Sequence, residues 1–263
     1  MTTRAGWRGV VLVALMISSA GPLAVLALWS VRGEWFFPAL LPSGVTTAAW
    51  RAALGTGALG PALATSVVLA LATSVLGCAL ALPAGRALAR LRGWRRHLGA
   101  AAAFLPVAAP PLALGTGLQV VLLAVGLGGT LPGVLLAHLV PAVGYLALFF
   151  LGTFTLWDMR PEEAARTLGA TPGQVWWRVV LPALRRPIAE GAAVGFLVSW
   201  TQFALTLTVG AGAVRTLPLE VFAYARAAED RAAAVGALLL IVPPVAAFAA
   251  LRWAARRTTM VPA

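Results

Sequence analysis

The chain contains no lysine, a single cysteine and few acids. All 20 basic residues are arginines and 8 residues are acidic, so only 11% of the 263 residues are charged. Ordinary soluble domains carry roughly 25% charged residues. Because a P-loop needs a lysine on the nucleotide phosphates, this chain cannot hydrolyse ATP by that route. The single Cys78 excludes an internal disulfide, and we expect it to be a small core residue.

Apolar residues are correspondingly abundant. Hydrophobic residues make up 60% of the chain, whereas ordinary soluble domains have about 45–50%. This composition indicates an integral membrane protein whose partners include membrane lipid. The net charge of +12 could suggest nucleic acid, but the arginines lie between apolar runs and not on one face, so we expect no nucleic-acid partner.

Six apolar runs reach the roughly 20 residues that a helix needs to cross a bilayer. We therefore expect an all-α membrane protein with a single transmembrane domain over residues 1–263. Basic residues precede the first run, so a cleaved signal peptide is the alternative interpretation of that run. The predicted spans are residues 10–29, 59–82, 98–125, 131–154, 188–209 and 232–253.

Two of these regions carry further signals. Residues 30–57 contain the aromatic cluster Trp35-Phe36-Phe37, which suits a membrane interface and predicts an external loop with a short surface helix. The third span contains Pro106 and Pro110-Pro111, and irregular backbone at membrane depth persists only where protein or a watery cavity covers it. This span is therefore either a wall of a transport pathway or a kinked packing helix.

The arginines are divided unequally between the two sides that six spans define. Because cytoplasmic segments carry the excess of basic residues, the larger group is predicted to be cytoplasmic, together with both termini. The larger group is Arg4, Arg8, Arg86, Arg90, Arg92, Arg95, Arg96, Arg160, Arg166, Arg178, Arg185, Arg186, Arg252, Arg256 and Arg257, and the smaller is Arg32, Arg51, Arg215, Arg226 and Arg231.

The longest polar interruption lies on this side, between the fourth and fifth predicted spans. Glu162 and Glu163 stand where a first helical turn favours carboxylates. Gly169 permits the backbone conformation that ends such a helix. Thr171 begins a second helix with a capping box that Gln174 completes. We expect two short helices around a glycine turn, forming a rigid cytoplasmic projection.

The same segment carries a spaced pattern of residues. Glu163-Ala164-Ala165 is followed after three residues by Gly169, after nine more by Val179, and then by Leu181-Pro182. This pattern resembles the EAA loop of the membrane permeases of binding-protein-dependent ABC importers, the type I family. The loop would cover residues 158–187, and the six-span layout resembles the family over essentially the whole chain.

The resemblance implies a set of partners. In the family this loop forms the coupling helix, which sits in a groove of a cytoplasmic ATPase. The resemblance therefore implies an ATPase dimer that binds ATP and Mg. It also implies an extracytoplasmic substrate-binding protein and a second permease subunit, which is expected to be a paralogue and not a copy of this chain. This chain would sit in a bacterial inner membrane and bind no cofactor or metal, with no catalytic residue.

By the same resemblance, Glu163 would cap and orient the coupling helix, and Gly169 would allow the turn. The residues expected at the ATPase contact are Glu162, Glu163, Ala164, Ala165, Leu168, Gly169, Ala170 and Thr171.

Polar residues in the spans are candidates for the translocation path. On a continuous helix, Ser199, Gln202, Phe203 and Thr206 would share one face. They would either line a cavity or bond neighbouring helices, and Gln119 is a further candidate. His138 in the fourth span is expected to be a hydrogen-bonded interior residue and not a proton relay.

The substrate is indicated only by the loop between the last two spans. Residues 215–234, which include TLPLEVFAYAR, are similar to the loop of the polyamine, iron(III), thiamine and sulfate/molybdate branch, and the pattern is most like a polyamine-type permease. A sugar is the remaining alternative. In the family the permeases work by alternating access, and the binding protein supplies most of the selectivity.

A secondary transporter or channel that works alone is the competing class. It predicts intramembrane charges for ion coupling, but the one acid in the predicted spans is Glu190, near a cytoplasmic end. It also leaves the polar segment without a role. A membrane enzyme would need a polar catalytic cluster, and the sequence shows none.

Overall fold

A computed structural model of the chain describes residues 3–35, 38–39, 42–55 and 57–258. Over these residues the fold is helical, and the extended backbone pairs only at an isolated antiparallel bridge between Arg32 and Val45. The predicted all-α class is therefore confirmed, and the expected short surface helix after the first span is α2. Phe36 and Phe37 of the predicted aromatic cluster lie outside the described residues.

The helices of the described residues vary from three to 32 residues. In chain order they are α1 (Thr3–Val31), α2 (Ala48–Leu54), α3 (Leu59–Arg90), α4 (Trp94–Ala108), α5 (Pro111–Ala124), α6 (Leu131–Thr155), α7 (Arg160–Thr167), α8 (Pro172–Val175), α9 (Leu181–Ala183), α10 (Arg185–Trp200), α11 (Ala204–Val209), α12 (Leu217–Arg226) and α13 (Asp230–Thr258), with a π-helical turn at Trp176–Val180 between α8 and α9.

Four of the described helical stretches are long and apolar enough to cross a membrane, and they match the predicted first, second, fourth and sixth spans. They are Val10–Val31, Leu59–Arg90, Leu131–Thr155 and Asp230–Ala249. The second runs past its predicted end at residue 82, so that Arg86 and Arg90 lie on α3 and not in a loop. Pro83 and Gly85 directly follow the predicted end, and because both residues disfavour a helix interior, the sequence favoured an end at residue 82.

The predicted third span is not a single helix. It corresponds to α4 and α5, whose axes are bent by 96°. Ala109 takes an extended conformation between them, with φ −66° and ψ 139°. A proline disfavours helical backbone in the residue before it, so the Pro110-Pro111 pair explains the break. With this bent pair taken as one span, the described helices provide up to five crossings.

The predicted fifth span, residues 188–209, is also divided. The helix α10 ends at Trp200 and α11 begins at Ala204, and with 16 and 6 residues neither is long enough to cross alone. The expectation that residues 199, 202, 203 and 206 share one face of a continuous helix was therefore wrong. The six-span arrangement itself stays a prediction.

The chain divides into two compact units, residues 1–65 with 216–243 and residues 66–215 with 244–263. In the first unit, Arg32 forms an ion pair with Asp230 at 3.4 Å, and Glu34 lies 3.9 Å from Arg231.

The second unit is built on α6, the most deeply buried of the four long stretches. Both α4 and α10 pack against α6, and α11 packs against α5. One apolar core surrounds Phe150 and Leu146, which are both fully buried. A second core surrounds Leu205 and Val134. Cys78 lies buried in the first core, as predicted.

Candidate functional site

The polar segment that follows α6, residues 158–187, begins with a local cap. An Asp158 Oδ1 atom accepts a hydrogen bond from the Arg160 backbone N–H at 3.0 Å, and the same carboxylate binds the Arg160 guanidinium. Such a carboxylate stands in for the missing backbone partner at a helix start. The hydrogen bonds from Arg160 lower the pKa of Asp158. This pair marks the start of α7. Because both side chains are exposed, it contributes little to overall stability.

Glu162 lies in the first turn of α7, and its side chain is completely buried. The carboxylate accepts hydrogen bonds from Arg86 Nη2 at 2.5 Å and from Trp157 Nε1 at 2.8 Å. The half-exposed Arg166 lies 3.6 Å away. Because Arg86 belongs to α3, this bond joins the polar segment directly to a long apolar helix, and we call it the Arg86–Glu162 anchor.

The charge of Arg86 is enclosed by aromatic rings. Its guanidinium carbon lies 5.0 Å from the Trp176 ring centroid and 5.6 Å from that of Phe154. These are distances at which a ring face attracts a cation. Only 13% of the Arg86 side chain is exposed. Sequence reasoning counted this arginine only as a marker of the cytoplasmic side, and its ionic role was missed.

The neighbouring residues of α7 face outward. Glu163 and Ala164 are exposed, and Leu168 at the end of the helix has 87% of its surface accessible. In contrast, Ala165 and Ala170 are half-buried against the core around Phe150. The expected contact residues therefore form a surface patch that includes one prominent apolar side chain. Glu162 is the exception, since its carboxylate would have to leave its partners to reach another protein.

The turn after α7 is formed as the sequence predicts. Gly169 has a φ of +85°, in the left-handed region that glycine adopts without a steric penalty. The Thr171 hydroxyl accepts from the Gln174 N–H at 3.3 Å, and the Gln174 side chain accepts from the Thr171 N–H at 2.9 Å. These two bonds are the predicted capping box, and they fix the start of α8. Thr171 is exposed.

The second helix of the segment is less regular than expected. After α8, the Trp176–Val180 turn widens to a π-helix, and the Leu181 N–H bonds to the Trp176 carbonyl. Proline lacks an N–H and its ring collides with the carbonyl four residues earlier, here that of Arg178 opposite Pro182. Widening the turn by one residue relieves that collision.

A second polar group, the polar cluster His138, Ser199 and Thr206, is buried within the second unit. His138 Nδ1 lies 2.8 Å from the Ser199 hydroxyl, and Nε2 lies 3.0 Å from the Thr206 hydroxyl. Thr206 donates its own proton to the Gln202 carbonyl, so we assign the imidazole proton to Nε2. The prediction of an interior, hydrogen-bonded His138 is confirmed. The cluster joins α6 to both α10 and α11 across the break between them.

The other candidate path residues lie at two places in the second unit. Gln202 and Phe203 are half-buried in the break between α10 and α11, and Gln119 is half-buried on α5. Within the described residues, no three His, Cys, Asp or Glu side chains lie close enough to hold a metal ion.

These features define a class of protein. Long apolar helices and the division of two predicted crossings into shorter helices are typical of a membrane transport protein.

Comparison with known proteins identifies the family. Residues 81–260 match the family described as binding-protein-dependent transport system inner membrane component. The molybdenum transport system permease protein ModB of Mycobacterium tuberculosis is 34% identical over 69% of this chain and 74% of its own length. The trehalose transport system permease protein SugB of Mycobacterium tuberculosis is 30% identical over 78% of this chain and 76% of its own length. The chain therefore belongs to this family and is a type I ABC importer permease, not an enzyme.

Two solved structures have a fold similar to that of this chain. A bacterial ABC transporter involved in alginate import superposes with a TM-score of 0.72 at 17% identity, covering 95% of both chains. The alginate transporter in complex with its pentasaccharide-bound periplasmic protein gives 0.69 at 14% identity, covering 99% of this chain and 98% of that chain. The putrescine transport system permease protein PotI of Escherichia coli is a more distant relative, 27% identical over 85% of this chain and 81% of its own length.

Proposed function

We propose that this permease receives its driving force through the exposed face of α7, which docks into a separate cytoplasmic ATPase. The observation that carries the proposal is the contrast between two adjacent acids. Glu162 is buried and bound to Arg86, while Glu163 is exposed beside Ala164 and near Leu168. A helix that is anchored on one side and open on the other can receive a displacement and pass it to α3.

We infer the remaining parts of the transporter from the family to which the chain belongs. ATP and Mg would be bound by the ATPase dimer, whose closure moves α7 in each of two permease subunits. The α3 helices would follow through the anchor, and the path would open alternately to a loaded binding protein and to the cytoplasm. The second permease subunit is proposed to be a paralogue. Both termini and α7 would lie in the cytoplasm, with residues 1–263 forming one six-span domain.

For the cargo we propose a molybdate-like oxyanion. No acidic residue occurs from residue 35 to residue 157, and the net charge is +12. A path with so few carboxylates suits an anion better than a multivalent cation, because opposite charges attract and like charges repel at short range. The 34% identity to a permease named for molybdenum transport supports the same choice.

A polyamine is the second candidate. The TLPLEVFAYAR pattern of residues 216–226 favours it, and so does the relative named for putrescine transport. Uptake by cells that lack this chain, with and without its return on a plasmid, distinguishes the two. We expect restored uptake of labelled molybdate and none of labelled putrescine, and the reverse pattern would transfer the assignment to polyamines.

The coupling proposal has its own test. The chain, solubilised in detergent with its native partners, should retain an ATPase subunit, and Leu168→Glu should lose it. The matched control is Val45→Glu, since Val45 is also a highly exposed apolar residue but lies outside the polar segment. Equal retention of the ATPase by both variants would contradict the proposal.

A further inference from the structure

A basic cluster surrounds the turn between α3 and α4. We call residues 90–97 the basic turn, which contains Arg90, Arg92, Arg95 and Arg96. Across the described part of the chain, Arg90, Arg92 and Arg95 form no ion pair with an acid, and Arg96 donates to the Thr155 hydroxyl at 2.7 Å. Uncompensated charges at this density attract an anion.

Two cavities open at this turn. One, of about 420 Å³, is lined by Arg86, Arg90, Arg92 and Arg96 together with aromatic and aliphatic residues. The other, of about 480 Å³, is lined by Arg92, Arg96 and neighbouring residues that include His97. Arg86 also carries a buried atom, Nη1, that has no hydrogen-bond partner among the described residues. The cavities therefore collect several donors that would suit one group with several anionic oxygens.

An apolar groove adjoins these cavities. It has a volume of about 500 Å³ and is bounded by α3, α4 and α6 through small and aliphatic side chains, including Ala87, Leu88, Ala103 and Val143. Leu91 lines the groove and both basic cavities, so the apolar and basic surfaces are continuous. The surface is thus apolar on one side of Leu91 and strongly basic on the other.

We propose that this surface binds one anionic phospholipid, with the phosphate at the basic turn and an acyl chain in the groove. Basic pockets between transmembrane helices are known to suit anionic headgroups. The groove argues for a lipid and not a free phosphate, because inorganic phosphate would leave the apolar half of the site empty. The same argument disfavours an acidic surface of a partner protein as the occupant.

The site would also connect lipid composition to the coupling segment. Arg86 lines the cavity beside Arg90 and at the same time binds Glu162. A bound phosphate would therefore lie next to the anchor that holds α7. Through this contact, an anionic lipid would help to hold α3, α4 and the polar segment in one arrangement.

Native mass spectrometry of the purified full chain tests the proposal. The probes are phosphatidylglycerol, phosphatidylcholine with the same acyl chains, and inorganic phosphate. We expect phosphatidylglycerol to bind one per chain and at least tenfold more tightly than phosphatidylcholine. The double variant Arg90→Gln/Arg92→Gln should bind it about 30-fold more weakly, which is the effect of two basic residues near an anionic lipid.

Two further variants separate the charge from the groove. Arg51→Gln/Arg226→Gln removes two exposed arginines away from the basic turn and should leave binding unchanged. Ala87→Phe fills the groove from an exposed position and should weaken binding of the long-chain lipid. The proposal would be overturned by equal affinity for the two lipids or by displacement of the lipid by millimolar phosphate. Unchanged binding in either the Arg90/Arg92 variant or the Ala87 variant would overturn it as well.

Discussion

Replacing Glu162 should loosen the polar segment from α3. Removing one partner of a buried ion pair typically costs about 3–5 kcal/mol, because the other charge is left buried and unpaired. Arg86 would keep its contacts with the Trp176 and Phe154 rings, so we expect the lower end, about 3 kcal/mol, for Glu162→Ala. Glu162→Gln keeps an acceptor for Trp157 and loses only the charge, for which about 2 kcal/mol is expected.

Hydrogen exchange of the backbone amides in α7 measures this loss locally. A change of about 2 kcal/mol corresponds to exchange roughly 30-fold faster in the Glu162→Gln protein. Glu163→Gln is a matched control, since it makes the same substitution one residue later on an exposed side chain. It should leave exchange in α7 almost unchanged.

The double variant Arg86→Met/Glu162→Met tests the physical reason. If the penalty comes from an uncompensated buried charge, removing both charges should restore much of the lost protection, and the two effects will not add. Exchange in α7 that is equal in the Glu162→Gln, Glu163→Gln and natural chains would refute the anchor. So would strictly additive effects in the double variant.

Three further predictions concern other parts of the fold. Gly169→Val should strain the left-handed turn by about 1–3 kcal/mol and impair ATP-driven uptake. Gly169→Asn should retain more uptake, because asparagine tolerates positive φ. Equal losses of uptake in the two variants would exclude the backbone explanation. Gly144→Ala should lower the thermal midpoint, because the added Cβ would lie 2.5 Å from the Ala103 carbonyl oxygen, at a typical overpacking cost of about 1–3 kcal/mol. Gly152→Ala is the control on the same helix, since its Cβ would meet no neighbouring atom of the described residues within 4 Å. Equal midpoints in the two variants would contradict the close α4–α6 packing. In a double-mutant cycle of unfolding free energies, His138→Phe and Ser199→Ala should couple by about 0.6 kcal/mol, the mean for hydrogen bonds between membrane helices. No coupling would mean that the two side chains lie apart in the native protein.

The features that could be predicted from sequence are the local ones. Long apolar runs specify α1, α3, α6 and α13 because each run alone exceeds the length of a crossing. The capping box at Thr171 and Gln174 could be predicted because its partners are three residues apart. The break after Ala109 could be predicted because proline acts on the residue next to it.

The features that were missed depend on distant contacts or lack a breaker residue. Arg86 and Glu162 are 76 positions apart, and a single sequence does not say which acid an arginine will meet. The break between α10 and α11 contains neither proline nor glycine. There the Thr201 hydroxyl bonds the Leu197 carbonyl, and hydroxyls beside the break bind His138. Side-chain hydrogen bonds of this kind compete with a continuous helix.

Site-specific photo-crosslinking from position 168 tests whether α7 docks into the ATPase. A photoreactive amino acid replaces Leu168 on the exposed end of α7, and in a separate chain it replaces the exposed Ala213 beyond α11. We expect a crosslink to the ATPase subunit from position 168 and none from position 213. If position 168 gives no ATPase crosslink in an assembly that still imports its substrate, α7 is not the docking helix.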